Sequence, residues 1–234
     1  MAGRITRKEL KTDKFALEVE QTVDFVTEHQ RELVRYGSIA AVVILIAVGI
    51  YFYLRHEHTV REQALADAIQ IQEAPVGPAN PGALITFPTE DAKRDAAAKT
   101  FSSLAAKYPG SAEAAVAKYY LGASAADQGK MADAEKSFKE AAASGDQNYA
   151  SLARFSLAQV YFAEGRGADA EKILRDLMEH PTALVSKEQA TIALAKGIAP
   201  TKPAEARKLL EPLRTVRGAV SQVAINAVNE LSGQ

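Results

Sequence analysis

Residues 152–177 read LARFSLAQVYFAEGRGADAEKILRDL, a stretch that predicts two helices joined by a turn at Gly165. On each side of that glycine, apolar residues recur at steps of three and four, which places their side chains on one face of a helix. Two short helices of this kind bury their apolar faces by packing against each other. The apolar positions are Leu157, Ala158 and Tyr161 in the first helix and Ala170, Leu174 and Leu177 in the second.

The same arrangement returns at an interval of 36 residues, both before and after this stretch. A repeat of this length, built of two helices, predicts a solenoid of stacked helix pairs, because no single pair can bury its apolar face alone. Small residues such as Gly122 let the two helices of a pair approach closely. The corresponding positions are Ala134, Ala170 and Ala206; Phe138, Leu174 and Leu210; Ala141, Leu177 and Leu213; Leu121, Leu157 and Ala193; Gly122 and Ala158; and the turn glycines Gly129 and Gly165.

Half a repeat precedes the first complete one. The second-helix pattern occurs once more, 37 residues before Ala134. We expect residues 55–73 to form the helix that pairs with it, and the proline-rich residues 74–90 to form a loop between the two, because prolines interrupt helices. The pattern residues are Ala97, Phe101, Leu104 and Pro109.

At the other end, residues 216–231 are expected to close the stack as a final helix. The solenoid is thus predicted over residues 91–234, with about three and a half helix pairs plus the closing helix. Its spacing resembles the tetratricopeptide repeat, although Lys118 and Arg154 stand where that repeat usually opens with a large residue. The apolar residues of the predicted closing helix are Val220, Val223, Ile225, Val228 and Leu231.

Residues 36–54, YGSIAAVVILIAVGIYFYL, contain no charged side chain and are bounded by Arg35 and Arg55. A helix of this length spans about 28 Å, close to the thickness of a hydrocarbon core, and aromatic residues stand at both of its ends. A core helix of a soluble protein is rarely apolar on every face, and a cleaved signal peptide lacks a long polar leader. We therefore predict an all-α fold in which an uncleaved transmembrane helix precedes the solenoid.

The leader, residues 1–35, holds seven basic residues, whereas residues 55–74 hold two. The positive-inside rule then predicts a cytoplasmic leader and an exported C-terminal domain. Between Asp13 and Arg35, apolar residues recur at helical steps, which predicts an amphipathic helix that contacts the bilayer or a partner. A solvated extension of the anchor is the alternative.

The composition disfavours nucleic acid and catalysis. Lys plus Arg total 28 against 29 for Asp plus Glu, so the chain lacks the positive field that a phosphate backbone requires. It has no cysteine, and His56 and His58, two apart on a helix, point to different faces and make a poor metal chelate. No phosphate-binding or catalytic motif occurs. We predict neither enzyme activity nor a cofactor.

Two pairs of acidic residues open second helices of the repeat. Asp133 with Glu135, and Asp169 with Glu171, are expected to favour the helix dipole and to face water.

The first helices of the repeats are expected to line the concave face, as a groove for polypeptides. This groove is predicted to be aromatic and nearly neutral, without the Lys and Asn residues with which some tetratricopeptide domains clamp acidic tails. The alternative is that its aromatic residues simply pack between helices. The candidate binding residues are Tyr119, Ala123 and Asp127, with Ala126, in one repeat, and Phe155, Gln159 and Phe162, with Ala163, in the next.

The whole layout resembles the ancillary subunit of the bacterial Sec translocon. The resemblance lies in residues 18–62, where EVEQTVDFVTEHQRELVRYG leads into the anchor and RHEHTVRE follows it, and in residues 152–177. It implies a single-pass protein of the bacterial inner membrane, bound to the SecYEG channel and to a periplasmic chaperone of the peptidyl-prolyl isomerase type, that helps to hand over exported chains. A scaffold for envelope assembly or cell division has the same architecture and remains the alternative.

Overall fold

The structure, a computed structural model, describes residues 30–78, 82, 84–143, 146–216 and 218–232. These residues are mostly helical, and the only strand-like pairing among them is an isolated bridge between Val76 and Phe87, which confirms the all-α prediction. The predicted amphipathic helix of residues 13–35 lies outside the described part of the chain except for residues 30–35, which are helical. The chain divides between Thr59 and Val60 into two compact units.

Nine α-helices and one 3-10 helix occur in the described part of the chain. Polar side chains begin several of them: the side-chain oxygen of Thr89, Ser111, Asp146 or Ser186 accepts a hydrogen bond from a free backbone N–H of the first turn. The helices are α1 (Gln30–Glu73), α2 (Glu90–Lys107), α3 (Ala112–Asp127), α4 (Met131–Ala142), α5 (Gln147–Ala163), α6 (Gly167–Glu179), α7 (Lys187–Ile198), α8 (Pro203–Leu210) and α9 (Ala219–Ser232), with the 3-10 helix Glu211–Thr215 before α9.

In the first unit, α1 carries the apolar stretch. Its large apolar side chains from Val42 to Leu54 are all exposed, from 45% at Val48 to 71% at Leu45. The segment Val34–Glu73 is long and apolar enough to cross a membrane, and no part of its most apolar window is buried. This argues against the alternative that the stretch is a core helix of a soluble fold.

In the second unit, the C-terminal part of α1 packs against α2 and α3. Ala68 is fully buried in a cluster with Ala97, Phe101, Leu104 and Ala117. This cluster agrees with the expectation that the helix after the anchor completes the first half-repeat, which stays a prediction.

The base of the proline-rich loop is closed by two backbone hydrogen bonds. The Gly77 N–H donates to the Phe87 carbonyl at 2.9 Å, and the Phe87 N–H donates to the Pro75 carbonyl at 3.1 Å. These bonds hold the segment that leaves α1 next to the segment that leads into α2.

The interval of 36 residues is confirmed in the second helices α4, α6 and α8. Each contributes the same three apolar positions to one core, all of them buried. From α2 onwards, consecutive helices pack against each other, and α3 also contacts α5, α5 contacts α7, and α7 contacts α9. The first helices thus form one row and the second helices contribute a shared stripe, as expected of a solenoid. The buried positions are Ala134, Phe138 and Ala141 in α4, Ala170, Leu174 and Leu177 in α6, and Ala206 and Leu210 in α8 with Leu213 in the 3-10 helix that follows it.

The two predicted turn glycines occupy the left-handed region, with φ of +72° at Gly129 and +76° at Gly165. After α3, the Lys130 N–H donates to the Ala125 carbonyl at 2.9 Å and the Gly129 N–H donates to the Ala126 carbonyl at 2.9 Å. This pair of bonds is the Schellman motif, which requires a residue with positive φ and so favours glycine. The same two bonds follow α5 around Gly165.

The predicted match of Ala193 with Leu157 is wrong by one residue. In α7 the fully buried leucine is Leu194, 37 residues after Leu157, whereas Ala193 is only partly buried. The extra residue enters in the connection between α6 and α7, because Leu177 still keeps the interval of 36 residues. The spacing from Leu194 to Ala206 is 12 residues, against 13 from Leu157 to Ala170, so the interval of 36 residues returns at Ala206.

The closing helix α9 is buried most completely at two alanines, while Val220 and Val228 are partly buried against the core. Ala224 and Ala227 are 0% and 1% exposed, whereas Val223 is 42% exposed. Small side chains let α9 lie close to the end of the stack, because less volume separates the helix axes. Val220 and Val223 are left to face a cavity beside α7.

Close approach also decides the α3–α4 packing. The Phe138 ring lies against Gly122, and a Cβ atom at Gly122 would stand 2.8 Å from two ring carbons. Gly122→Ala is expected to lower the free energy of unfolding by about 1–3 kcal/mol, because overpacking outweighs the gain in helix propensity. Urea denaturation of the detergent-solubilised protein, followed by circular dichroism, measures this.

Gly167→Ala is the matched control, because a Cβ at Gly167 would meet the Phe162 ring at an ordinary 3.9 Å. This variant should keep or slightly raise the stability. Equal unfolding midpoints for the two variants would contradict the packing argument.

The expectation that all four acidic residues at the second-helix starts face water is wrong for Glu135 and Glu171. Each of these side chains is 19% exposed and joins two consecutive second helices through basic partners. Glu135 pairs with Arg166 at 2.9 Å, and Glu171, 36 residues later, pairs with Lys202 at 2.8 Å. Both contacts span 31 residues, so the ion pair repeats with the solenoid. We call these two contacts the ion-pair ladder.

Each acidic residue of the ladder has a second partner on its own helix. Lys139 lies 2.6 Å from Glu135, and Arg175 lies 2.6 Å from Glu171. The neighbouring Asp133 and Asp169 are exposed, as predicted.

The ladder makes stability depend on pH. The hydrogen bond from Lys139, with a further bond from Arg166, lowers the pKa of Glu135 from 4.5 to about 2. A lowered pKa in the folded state means that the stabilisation is complete above pH 4.5 and is lost as the pH falls towards 2. Glu135→Gln is expected to destabilise the protein by about 1 kcal/mol at pH 7, and the difference from the wild type should shrink steadily below pH 4.5.

Urea titrations at pH 7 and pH 3 in one detergent test this. Asp95→Asn, which removes an exposed carboxylate from α2, serves as the control and should show little difference at either pH. A loss of stability in Glu135→Gln that is the same at both pH values would show that the ionised Glu135 carboxylate does not stabilise the fold.

Candidate functional site

The row of first helices, together with α9, lines an open cavity of about 630 Å³. Its lining is almost entirely apolar, and the side chains come from one stripe on each helix. Stripes of this kind arise because residues three and four apart share a helix face. The lining residues are Phe155, Gln159 and Phe162 of α5, Gln189, Ile192, Ala193, Lys196 and Gly197 of α7, and Val220 and Val223 of α9.

A smaller cavity of about 240 Å³ lies between α3 and α5. Ala123, Ala126 and Asp127 of α3 line it, and Gln159 lines both cavities. We refer to the two cavities together as the groove. Seven of the eight candidate residues predicted from the sequence therefore lie along it, and Gln159 joins its two parts.

Tyr119, the remaining candidate, lies in an aromatic cluster. Its ring centroid is 5.8 Å from that of Phe138, 5.7 Å from that of Tyr120 and 6.5 Å from that of Tyr149. The ring is partly buried against the core. These contacts fit the alternative reading for Tyr119, in which an aromatic residue packs between helices.

Phe162 both lines the groove and packs between helices. Its ring lines the larger cavity and also lies directly on Gly197, where any Cβ atom would overlap the ring. The absence of a side chain at Gly197 is what lets Phe162 lie flat between α5 and α7. Phe155 is likewise partly buried against the core while it lines the cavity.

The sequence prediction missed the contributions of α7 and α9. An interval of 37 residues, instead of 36, leads from Phe155 to Ile192 and from Gln159 to Lys196. Leu194 and Ala195, which are buried in α7, follow Leu157 and Ala158 at this same interval of 37 residues, so the sequence did contain the correct register. Val220 and Val223 were predicted only as apolar residues of the closing helix, and their place in the lining of the larger cavity was not anticipated.

The groove is nearly neutral. Among the described residues that line the larger cavity, Lys196 is the one charged side chain, and it is exposed. Asp127, also exposed, is the one charged residue of the described lining of the smaller cavity. Binding in such a site depends on the burial of apolar surface.

Nothing in the described part of the chain groups three or more His, Asp or Glu side chains to hold a metal ion. That the protein works without a cofactor stays a prediction. The groove offers apolar contact surface and two exposed amides, at Gln159 and Gln189.

No curated protein and no solved structure shows a significant match to the chain. The tetratricopeptide repeat-like domain does match, over residues 32–207, about three quarters of the chain. Domains of this type are in general protein-binding scaffolds without catalytic activity. The match agrees with the stacked helix pairs and the groove, and the chain belongs to the family of the tetratricopeptide repeat-like domain.

Proposed function

We propose that the chain is a membrane-anchored scaffold that assists Sec-dependent export by linking the SecYEG translocon to periplasmic chaperones or exported chains. The observation that carries this proposal is that one chain combines an apolar helix without a buried face and a solenoid with an open apolar groove. Such a molecule binds polypeptides next to a bilayer.

The anchor is supported by the burial and continuity of α1. Apolar side chains that are 45–71% exposed over several turns are stable in lipid and unfavourable in water. The helix also continues without a break from Gln30 to Glu73, so no irregular cleavage site follows the apolar run. An uncleaved anchor with a cytoplasmic N-terminus fits these features and the distribution of basic residues.

The proposed partners follow from the chemistry of the groove and from the resemblance of residues 18–62 to the ancillary translocon subunit. A chain that has just been exported is unfolded and presents apolar side chains. An apolar, nearly neutral groove accepts such segments without requiring a specific charge pattern. A periplasmic chaperone at the same place would receive the chain next.

Site-specific photocrosslinking in native membranes tests the proposal. A photoreactive phenylalanine analogue at Phe155 should capture exported chains or a periplasmic chaperone, and one at Ile44 should capture channel subunits. The control positions are Lys172, an exposed residue of the second helix α6, and Ala66, an exposed residue of α1 beyond the apolar run. Neither control should give these products.

If neither Phe155 nor Ile44 yields a translocon subunit, chaperone or exported chain, the assignment to Sec-dependent export is refuted. Products from the envelope-assembly or cell-division machinery would instead establish the alternative scaffold role. Either result leaves the solenoid and its family unchanged.

The proposed orientation has an independent test, because the chain contains no cysteine. Ser102→Cys, at an exposed position of α2, should react with a membrane-impermeant maleimide on intact spheroplasts. Thr12→Cys in the leader should react only after the membrane is permeabilised. The reverse pattern would overturn the orientation.

A further inference from the structure

A lysine occupies the same register position on each of the four second helices. It follows the first alanine of the buried stripe by two residues, and the intervals between the lysines are 37, 36 and 36 residues. Two residues correspond to about 200° around a helix, so these side chains point away from the buried stripe. All four are exposed. We call them the lysine row: Lys99 in α2, Lys136 in α4, Lys172 in α6 and Lys208 in α8.

The lysine row carries positive charge that is not neutralised by direct contacts. None of its ammonium groups forms an ion pair within the described part of the chain. The acidic residues one turn after the two middle lysines already have basic partners on the first helices. Glu140 pairs with Lys118 at 2.9 Å, and Asp176 pairs with Arg154. The ammonium groups of the row are therefore available to carboxylates from outside the chain.

Open cavities lie beside the two middle lysines of the row. Lys136 lines a cavity of about 390 Å³, and Lys172 lines one of about 420 Å³. Among the described residues, neither cavity shares a lining residue with the groove. The protein thus has a second indented surface, on which a cavity with a lysine recurs. The linings correspond at an interval of 36 residues: Lys118 with Arg154, Asp133 with Asp169, Lys136 with Lys172, and Glu140 with Asp176.

The charge of this surface decides what it binds. Three basic and two acidic side chains line the cavity beside Lys172, so an apolar segment would have to desolvate charges there. A carboxylate is instead attracted to each ammonium group, and several carboxylates on one chain strengthen one another's binding. Lipid headgroups are also anionic, but a cavity beside the lysine admits a side chain, which a flat lipid surface does not supply. An acidic polypeptide therefore fits this surface best.

We infer that the lysine row is a docking surface for an acidic polypeptide segment of a second partner protein. Its carboxylates pair with Lys136 and Lys172 at the two cavities, and with Lys99 and Lys208 on either side of them. This partner is distinct from the apolar segments proposed for the groove. Because the two surfaces share no lining residue in the described part of the chain, both are occupied without competition.

Fluorescence anisotropy tests this with the full chain in phosphatidylcholine nanodiscs at low ionic strength. The probe is a labelled synthetic peptide in which Glu alternates with Ser, and the same peptide with Gln in place of Glu should not bind. Lys136→Gln with Lys172→Gln should weaken binding of the Glu peptide about fivefold, because two charge pairs are lost. Lys130→Gln with Lys187→Gln makes the same change in net charge at exposed positions outside the row. This control should weaken binding less than about twofold.

Chemical coupling separates the row from the basic leader. A water-soluble carbodiimide joins a carboxylate of the Glu peptide to a lysine amine that it touches, and mass spectrometry identifies that lysine. The four lysines of the row should be joined several times more often than Lys130 and Lys187. Circular dichroism verifies that both double variants keep the helical fold.

Three results overturn the inference: absent binding of the Glu peptide, equal weakening in the two double variants, or coupling to Lys130 and Lys187 as frequent as to the row. Protection of the row from acetylation by phosphatidylglycerol nanodiscs, but not by phosphatidylcholine nanodiscs, also overturns it, because the bilayer surface would then be the occupant. Crosslinking from Phe155 is independent of these outcomes, so the proposed function of the groove stands or fails separately.

Discussion

Leu174→Ala is expected to lower the free energy of unfolding by about 3 kcal/mol, one of the two largest effects that we predict for a change in this protein. Leu174 is 0% exposed and lies in the middle of α6, in the core that the second helices share. Removing its side chain leaves a cavity that the neighbouring helices cannot fill without moving apart. Because each repeat depends on its neighbours, the loss should be seen as a lower unfolding midpoint of the whole solenoid.

The matched control is Leu84→Ala, which makes the same chemical change at a side chain that is 89% exposed. It should change the free energy of unfolding by no more than about 0.5 kcal/mol. Urea denaturation of both variants in one detergent provides the comparison. Similar losses in the two variants would show that Leu174 does not belong to a packed core.

The second large effect concerns the apolar part of α1. The double substitution of Val43→Lys and Ile46→Lys is expected to prevent stable insertion, because each lysine near the centre of a membrane helix costs about 3 kcal/mol. Both native side chains are exposed, at 59% and 57%, so the change disturbs no packing within the chain. The protein should move from the carbonate-resistant membrane pellet to the soluble or aggregated fraction.

Gln63→Lys with Ala66→Lys is the control for this experiment. It places the same two charges at the same spacing on the same helix, at exposed positions beyond the apolar run. This variant should remain in the membrane pellet. If the variant with lysines at positions 43 and 46 also stays there, the proposed anchor is wrong.

Where burial imposes one strict period, the sequence predicted the structure well. The second helices carry Ala170, Leu174 and Leu177 or their counterparts at intervals of 36 residues, and all of these side chains are buried. The turn glycines Gly129 and Gly165 were equally readable, because only a residue with positive φ completes their hydrogen bonds.

The first helices were harder to predict, because their spacing depends on loops that can differ in length. The connection between α6 and α7 shifts the register by one residue, so that Leu194 takes the position expected for Ala193, and the match at Ala193 failed for this reason. Since three helices line the larger cavity, an error in the register of one helix removes the residues of that helix from the predicted lining. Ile192 and Lys196 were missed in this way.

Two further misses arise from tertiary contacts. In α9, the hydrophobicity of Val223 suggested burial, but the tight approach of the helix selected Ala224 and Ala227. Glu135 looked like a solvated residue of a first turn, and only the stacking of the next helix brings Arg166 to it. A binding role for the groove residues stays a prediction, which crosslinking from Phe155 tests.

The ion-pair ladder has a consequence for how solenoids of this kind change in size. The contact of Glu135 with Arg166 recurs 36 residues later as the contact of Glu171 with Lys202. In both, a carboxylate at the start of one second helix meets a basic side chain at the start of the next. A tandem copy of residues 131–166 inserted after Arg166 would meet a compatible neighbour at both of its junctions, in charge as well as in apolar register. Gene duplication in steps of 36 residues thus keeps each carboxylate of the ladder opposite a basic residue of the next unit, whereas an insertion that is not a multiple of 36 residues would move the two out of register.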